Sequence, residues 1–295
     1  MKNRVPLHAK VGSFFDSLYK SIRFKYHYIR RLMKYGECKY PHHSSFENDC
    51  IRILATGPSL KTEIEDLRTN GILFADPLFV MNFFAFSDLF VELKPTRYCL
   101  ADPSFFKEDN QLKKVDDLFA LLSKLVTWEM SLYIPNVSST IAKSKIINDH
   151  IKLIPISTLH FEGFESKRYK YYKKGIATPS FVNVLIMIEY ICLNEGFKKI
   201  YLYGADHSFL SNLMVDDNNT LRIGDSHFYG NATVARYHKD GTPWRIAEFI
   251  YDKYLTFVEH DVMRHYADYL GAEIINCTKC SLIDSYVRLS MIEKR

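Results

Sequence analysis

Two hydrophobic rhythms divide the chain. Within residues 1–48, Phe14, Phe15, Leu18, Ile22, Tyr26, Ile29 and Leu32 or Met33 recur three or four apart, with Lys20, Arg23, Lys25, Arg30 and Arg31 between them. That spacing predicts one basic amphipathic helix. Tyr40-Pro41-His42-His43-Ser44-Ser45 reads as the linker after it. From Cys50 onward short apolar runs alternate with helical patterns, as βαβ units require. Strands are expected at 51–55, 78–82, 97–102, 126–130, 151–156, 199–206 and 273–277. Helices are expected after Gly57, over 86–93, around 112–125, over 180–195, and from Thr242-Pro243 to Leu270, where Gly271 stops the last.

Residues 207–240 show no periodicity and are rich in Asp, Asn, Gly and His. A connection that long inside a compact domain reads as a functional lid. The fold class that emerges is α/β: a Rossmann-like, mainly parallel sheet with flanking helices, a lid segment and an N-terminal helical extension. Residues 1–48 are the extension and linker. Residues 49–295 are one ligand-binding domain with its lid at 207–240.

Charge sharpens the division. Residues 1–42 hold ten Lys or Arg against Asp16 and Glu37, a local balance of +8, so the other 253 residues of this +5 chain are near −3. A basic, aromatic-rich segment on a nearly neutral body points to an anionic membrane surface. Nucleic acid is not expected, because the body carries no second basic stripe. The alternative for the same helix is packing on the body with its basic face in water. Apolar residues make up 47% of the 295, enough for a sizeable core. No apolar run reaches the roughly 18–20 residues that a spanning helix needs. Lys2 and Arg4 precede no apolar stretch, so no secretory signal is expected. The expectation is a cytoplasmic protein, peripheral on the inner face of the cytoplasmic membrane, with its six cysteines reduced. Cys277 and Cys280 form a C-x-x-C with no second ligand pair, so no zinc and no other cofactor is expected. Nothing in the sequence sets the oligomeric state, and a homo-oligomer is compatible with it.

Candidate chemistry collects at the C-terminal ends of the expected strands, where open α/β sheets bind ligands. Gly57-Pro58-Ser59 follows the first strand, and its glycine and the following helix N-terminus suit an anion, or form an ordinary strand-to-helix turn. Asn82 ends the second strand, Asp102-Pro103-Ser104 the third, and Gly204-Ala205-Asp206-His207 the sixth. Either polar strand end, Asn82 or Asp102, also has a plain reading as the cap of the next helix.

Five segments then follow one another: Gly57-Pro58-Ser59-Leu60-Lys61, Val80-Met81-Asn82, Asp102-Pro103-Ser104-Phe105-Phe106, Lys199 to Asp206, and Asp225-Ser226-His227-Phe228-Tyr229-Gly230. In order and rough spacing this set resembles the bacterial lipooligosaccharide sialyltransferases, glycosyltransferase family 42. It also resembles the broader Gly-Pro-Ser-Leu group that includes pterin diphosphokinase-like proteins. The first resemblance implies a metal-independent, inverting transferase with a CMP-activated sugar donor and a surface glycan or lipooligosaccharide acceptor. It implies that Thr56, Asn82 and Asp102 bind the nucleotide; the Gly57-Pro58-Ser59 turn, Thr178 or Ser180, Gly204 and Asp206 complete the pocket expected from the strand ends. Thr56 and Asp102 stand where the family has Asn. The family's base position falls on Asn231 and its leaving-group Tyr on Ser208. The catalytic candidates are therefore His227 ahead of His238 as base, with Tyr229 on the leaving phosphate. Two rivals remain: a Mg²⁺–ATP phosphotransferase using Asp102 and Asp206, and a nucleotide-binding protein without turnover.

Overall fold

In the computed structural model the described residues are 7–37, 40, 49–74, 76–107, 113–211, 213–227, 230–235, 237, 238 and 240–289. The first helix, α1 (Leu7–Tyr35), precedes an alternation of strands and helices: β1 (Cys50–Leu54), α2 (Leu60–Thr69), β2 (Leu78–Met81), α3 (Leu89–Leu93), β3 (Arg97–Cys99), α4 (Lys113–Leu125), β4 (Met130–Pro135), α5 (Ser139–Lys145) and β5 (Ile151–Ile156). Then come α6 (Arg168–Lys173), α7 (Val184–Glu195) and β6 (Lys199–Tyr203). Three further strands, β7 (Leu213–Val215), β8 (Leu221–His227) and β9 (Gly230–Ala235), lead into α8 (Ile246–Leu270), β10 (Glu273–Asn276) and β11 (Val287–Arg288).

Eight strands form one parallel sheet in the order β11-β10-β6-β1-β2-β3-β4-β5. Its two faces follow from the two-residue period of a strand. Ile51 and Ile53 of β1, Phe79 and Met81 of β2 and Ile200 and Leu202 of β6 face a core shared with α7 and α8. Leu54, Val80, Tyr98, Leu132 and Tyr203 face the core that α2, α3 and α4 cover. Because both faces are covered, the strands are apolar almost throughout. The helix α7 is apolar all round and buried along most of its length.

Three sequence expectations change. The fourth strand lies at Met130–Pro135, whereas Val126 sits in the core just after α4. The last long helix starts at Ile246, not at Pro243, which instead bridges to Tyr237. The lid is not a structureless connection: β7, β8 and β9 make an antiparallel sheet whose Leu221 and Ile223 pack on Phe249. Asp216 fixes its first turn by accepting from the amides of Asn218 and Thr220 and from Arg222 Nε.

The helix α1 lies on the body, but through a face other than the expected stripe. Phe24, only 2% exposed, inserts between the rings of Phe161 and Tyr171. Arg23 pairs with Glu162, and Arg31 donates to Asn136 and Thr158. Most of the apolar stripe points away: Phe15, Ile22, Tyr26, Ile29 and Met33 are 54–75% exposed, while Phe14 of the same stripe meets the ring of Phe164. No helix of the described residues is long and apolar enough to cross a membrane.

Candidate functional site

From β1 the chain winds to one side through β2, β3, β4 and β5, then crosses to the other side at β6. The C-terminal ends of β1 and β6 therefore diverge, and a crevice opens between the loops that leave them, the place where doubly wound sheets bind ligands. A cleft lies there. Its floor is Ala55–Pro58 after β1, Asn82 after β2 and Gly204–Phe209 after β6. Asn183–Leu185 at the start of α7 form one wall. Ile223 and Gly224 of β8 close it together with Phe249 and Lys253 of α8.

The floor is stitched by short bonds across the switch point. Gly57 N–H donates to the Gly204 carbonyl (2.8 Å), and Gly204 N–H donates to the buried Glu63 carboxylate (2.7 Å). Ser59 donates twice to Asp206, from its amide (3.3 Å) and its hydroxyl (2.8 Å). Burial pushes the Asp206 and Glu63 carboxyls above the usual range, and these hydrogen bonds oppose that rise. A Cβ on Gly57 would lie 1.9 Å from Asp206 Oδ2 and 2.5 Å from the Gly204 carbonyl. The glycine is thus required by the contact between the two strand ends, before any ligand arrives. Asn82 and His207, both at φ +52°, are non-glycine residues in the left-handed region at strand exits.

Two features suit an anion. Asn183 caps α7 by accepting from Leu185 N–H (2.8 Å), which directs the positive end of a 12-residue helix at the cleft. Lys253 brings an ammonium, 2.7 Å from Asp252 and over the rings of Phe209 and Phe249.

Behind the cleft a polar chain runs into the core. His207 Nε2 is 2.9 Å from His260 Nε2, and His260 Nδ1 is 2.9 Å from Tyr286 Oη. Tyr286 Oη is 2.7 Å from Glu189 Oε2. Desolvation dominates here: it holds the Glu189 carboxyl well up, lowers His260 to about 3 and lowers His207 well below its ordinary value, with His260 and Lys253 adding to the last.

Of the residues singled out from sequence, Thr56, Gly57, Pro58, Asn82, Gly204 and Asp206 line the cleft, and Ser59 binds Asp206 behind it. Four others stand elsewhere. Asp102 is exposed and accepts from Ser104 N–H as the cap of a short 3-10 helix. Thr178 is fully buried, with its backbone bridged to His160. The amide of Ser180 binds Glu259, because α7 starts at Val184 rather than at Ser180. His238 stacks on Trp244 and lies 3.3 Å from Glu248 at a separate surface. The backbone of His227 ends β8; its side chain, that of Asn231 and the whole of Phe228 and Tyr229 lie outside the described residues. Asn183, His207 and Lys253 join the cleft without being among the residues expected from the sequence. The first two had a signal, an Asn before an apolar helix and a His in the strand-end segment. Lys253, His260 and Phe249 share one face of α8 at helical spacing, which does not by itself distinguish a site from a core.

No family model matches this chain, and no curated protein matches it. Among solved structures it is similar to a MAf glycosyltransferase from Magnetospirillum magneticum AMB-1, with a TM-score of 0.49 and 14% identity. The similarity covers 88% of this chain and 36% of that one, so this chain spans about a third of that protein's length.

The Gly57 contact generates a stability test. Gly57→Ala should destabilise by about 1–3 kcal/mol or more through overpacking. Combining it with Asp206→Ala should cost less than the sum of the two single changes, since the nearest clash is removed. Thermal unfolding of the three variants measures this, and strict additivity would contradict the contact.

Proposed function

We propose that this chain is a glycosyltransferase that moves a sugar from a CMP-activated donor to a glycan hydroxyl, without metal and with inversion. The observation that carries the reading is the cleft at the β1–β6 switch point. It combines a close-packed glycine turn, the start of α7 and the Lys253 ammonium, all suited to a phosphate-bearing ligand. In this reading Asn82, at the end of β2, meets the nucleoside, while Lys253 and the α7 amides meet the phosphate. The identification of cytidine rests on the ordered segments shared with the sialyltransferases. The proton acceptor is His227, on the strand that brings Ile223 and Gly224 to the cleft. Tyr229 follows two residues later in the same lid. Asp206 is already engaged by Ser59, so its part is to hold the floor.

CMP without metal should raise the thermal midpoint of the protein; at ~100 times its dissociation constant a ligand adds about 2.7 kcal/mol. Lys253→Ala and Asn82→Ala should weaken that shift. His227→Ala should leave the shift intact and lower sugar transfer by roughly 10²–10⁴-fold. A shift with ATP and Mg²⁺ but none with CMP would replace this reading by the phosphotransferase one.

We propose further that α1 rests on a bilayer of anionic lipid, where a surface glycan acceptor would be met. The exposed stripe of Phe15, Ile22, Tyr26, Ile29 and Met33 supports this, turned away from the body. At 100° per residue Lys25 flanks the stripe on one side and Arg30 and Lys34 on the other. Basic residues near such a surface contribute about 1 kcal/mol each. The intact protein should sediment with vesicles of phosphatidylcholine and phosphatidylglycerol, release in high salt, and bind vesicles of phosphatidylcholine alone far less. Ile22→Asp with Ile29→Asp should weaken binding at least about tenfold with an unchanged thermal midpoint, as both side chains are exposed. A dimer in solution that this double change dissociates, without vesicle binding, would assign the stripe to a second copy instead.

A further inference from the structure

The helix α7 buries two glutamates completely, six residues apart, and the fold treats them differently. Glu195 meets a cation, Arg97 Nε at 2.7 Å, and also the Tyr133 hydroxyl, so it is a satisfied structural pair. Glu189 has no such partner. It meets Tyr286 Oη and lies 3.3 Å from His260 Nδ1, and its Oε1 has no hydrogen-bond partner among the described residues. A carboxylate buried in this way without a cation is costly, whereas a neutral carboxyl is tolerated and can donate a hydrogen bond. Its chain of contacts ends at the cleft, on His207.

With all four groups neutral and the carboxyl proton on Oε2, one arrangement of hydrogens fills every link and leaves no buried donor of the relay without an acceptor. Glu189 Oε2–H donates to Tyr286 Oη, Tyr286 O–H donates to His260 Nδ1, and His260 Nε2–H donates to His207 Nε2. His207 must then carry its own hydrogen on Nδ1, a nitrogen with no hydrogen-bond partner among the described residues. The orphaned Oε1 is left as a carbonyl-type acceptor, less costly than an orphaned donor. The charged and titratable groups beside this chain are Lys253 at His207, Asp261 at His260, and Asp261 and Arg264 at Tyr286.

We propose that the Glu189–Tyr286–His260 relay fixes His207 as the Nδ1–H tautomer, making it a neutral donor that holds the phosphate leaving group of the bound sugar nucleotide. This rests on the transferase reading for the identity of the ligand, but not for the tautomer. His207 is the contacting residue; Glu189, Tyr286 and His260 are positioning residues that act through it. A neutral donor suits the role because it stabilises charge that grows on the phosphate as the glycosidic bond breaks, and no proton need be transferred. The electron pair of that bond leaves with the phosphate, and Lys253 supplies the balancing cation.

Long-range ¹H–¹⁵N correlation spectra of the full chain, labelled at histidine, read the tautomer directly. From pH 6 to 8 His207 should be neutral with its hydrogen on Nδ1. Glu189→Gln keeps a donor facing Tyr286 and should preserve both the tautomer and the transfer rate. Tyr286→Phe removes the hydrogen given to His260 and should release the tautomer of His207, with circular dichroism confirming the fold. Addition of CMP should shift the Nδ1–H resonance, and His207→Ala should lower transfer by roughly 10²–10³-fold. An Nε2–H tautomer or an imidazolium at His207, or a Glu189→Gln variant that alters the tautomer, would overturn the relay. CMP that binds, by thermal shift, without moving the Nδ1–H resonance would overturn the role of donor to phosphate. CMP that fails to bind would remove the transferase reading and leave the tautomer to be judged from the spectra of the free protein.

Discussion

The close approach of the turn after β1 to the exit of β6 is the constraint on which the site depends. The two strands are neighbours in the sheet, yet the chain leaves them toward opposite flanks, so their loops must part within a few residues. Gly57 and Gly204 permit this by letting backbone touch backbone, with an amide-to-carbonyl bond of 2.8 Å between them. Asp206 and Glu63 then fasten the flanks, one to Ser59 and the other to the Gly204 amide. Everything that lines the cleft is placed relative to that seam: Thr56 and Pro58 on one lip, His207 and Ser208 on the other, and the start of α7 across from them.

The interior polar groups are graded by how they are compensated, and the grading follows position. Arg52, midway along β1, pairs with Asp76, and Arg97 and Glu195 pair at the start of β3. Near the cleft amides and a hydroxyl donate to Asp206 and Glu63, and Glu189 faces a tyrosine hydroxyl in place of an arginine. Neutral donors leave the Lys253 ammonium and the α7 N-terminus as the positive features offered to a ligand there.

Much of this was legible in the chain because parallel strands covered on both faces are continuous apolar runs. Residues 50–54, 78–81 and 199–203 are largely such runs, and the polar or glycine residues that follow them mark the cleft. What was hard to read depends on tertiary pairing. Among the described residues the lid strands pack through Leu213, Leu221 and Ile223, an alternation too short to stand out among Asp, Asn and Gly. The apolar stripe of α1 is plain in the sequence, but which face meets the body is set by Phe24 finding Phe161 and Tyr171 far along the chain. Thr178 and Ser180 looked like the approach to a helix N-terminus. The helix begins four residues beyond Ser180, and it is Asn183 that caps it at the cleft. His207 belonged to a segment already singled out, yet its partners His260, Tyr286 and Glu189 come from three other parts of the chain.

The central claim is that a phosphate-bearing cytidine nucleotide is held at the β1–β6 switch point, and a crystal structure of the protein grown with CMP tests it most directly. The account predicts density for the phosphate between Lys253 and the first amides of α7, with the nucleoside beside Asn82 and the Gly57 turn. A nucleotide bound at any other surface, or a clear cleft in crystals soaked at saturating CMP, would contradict it.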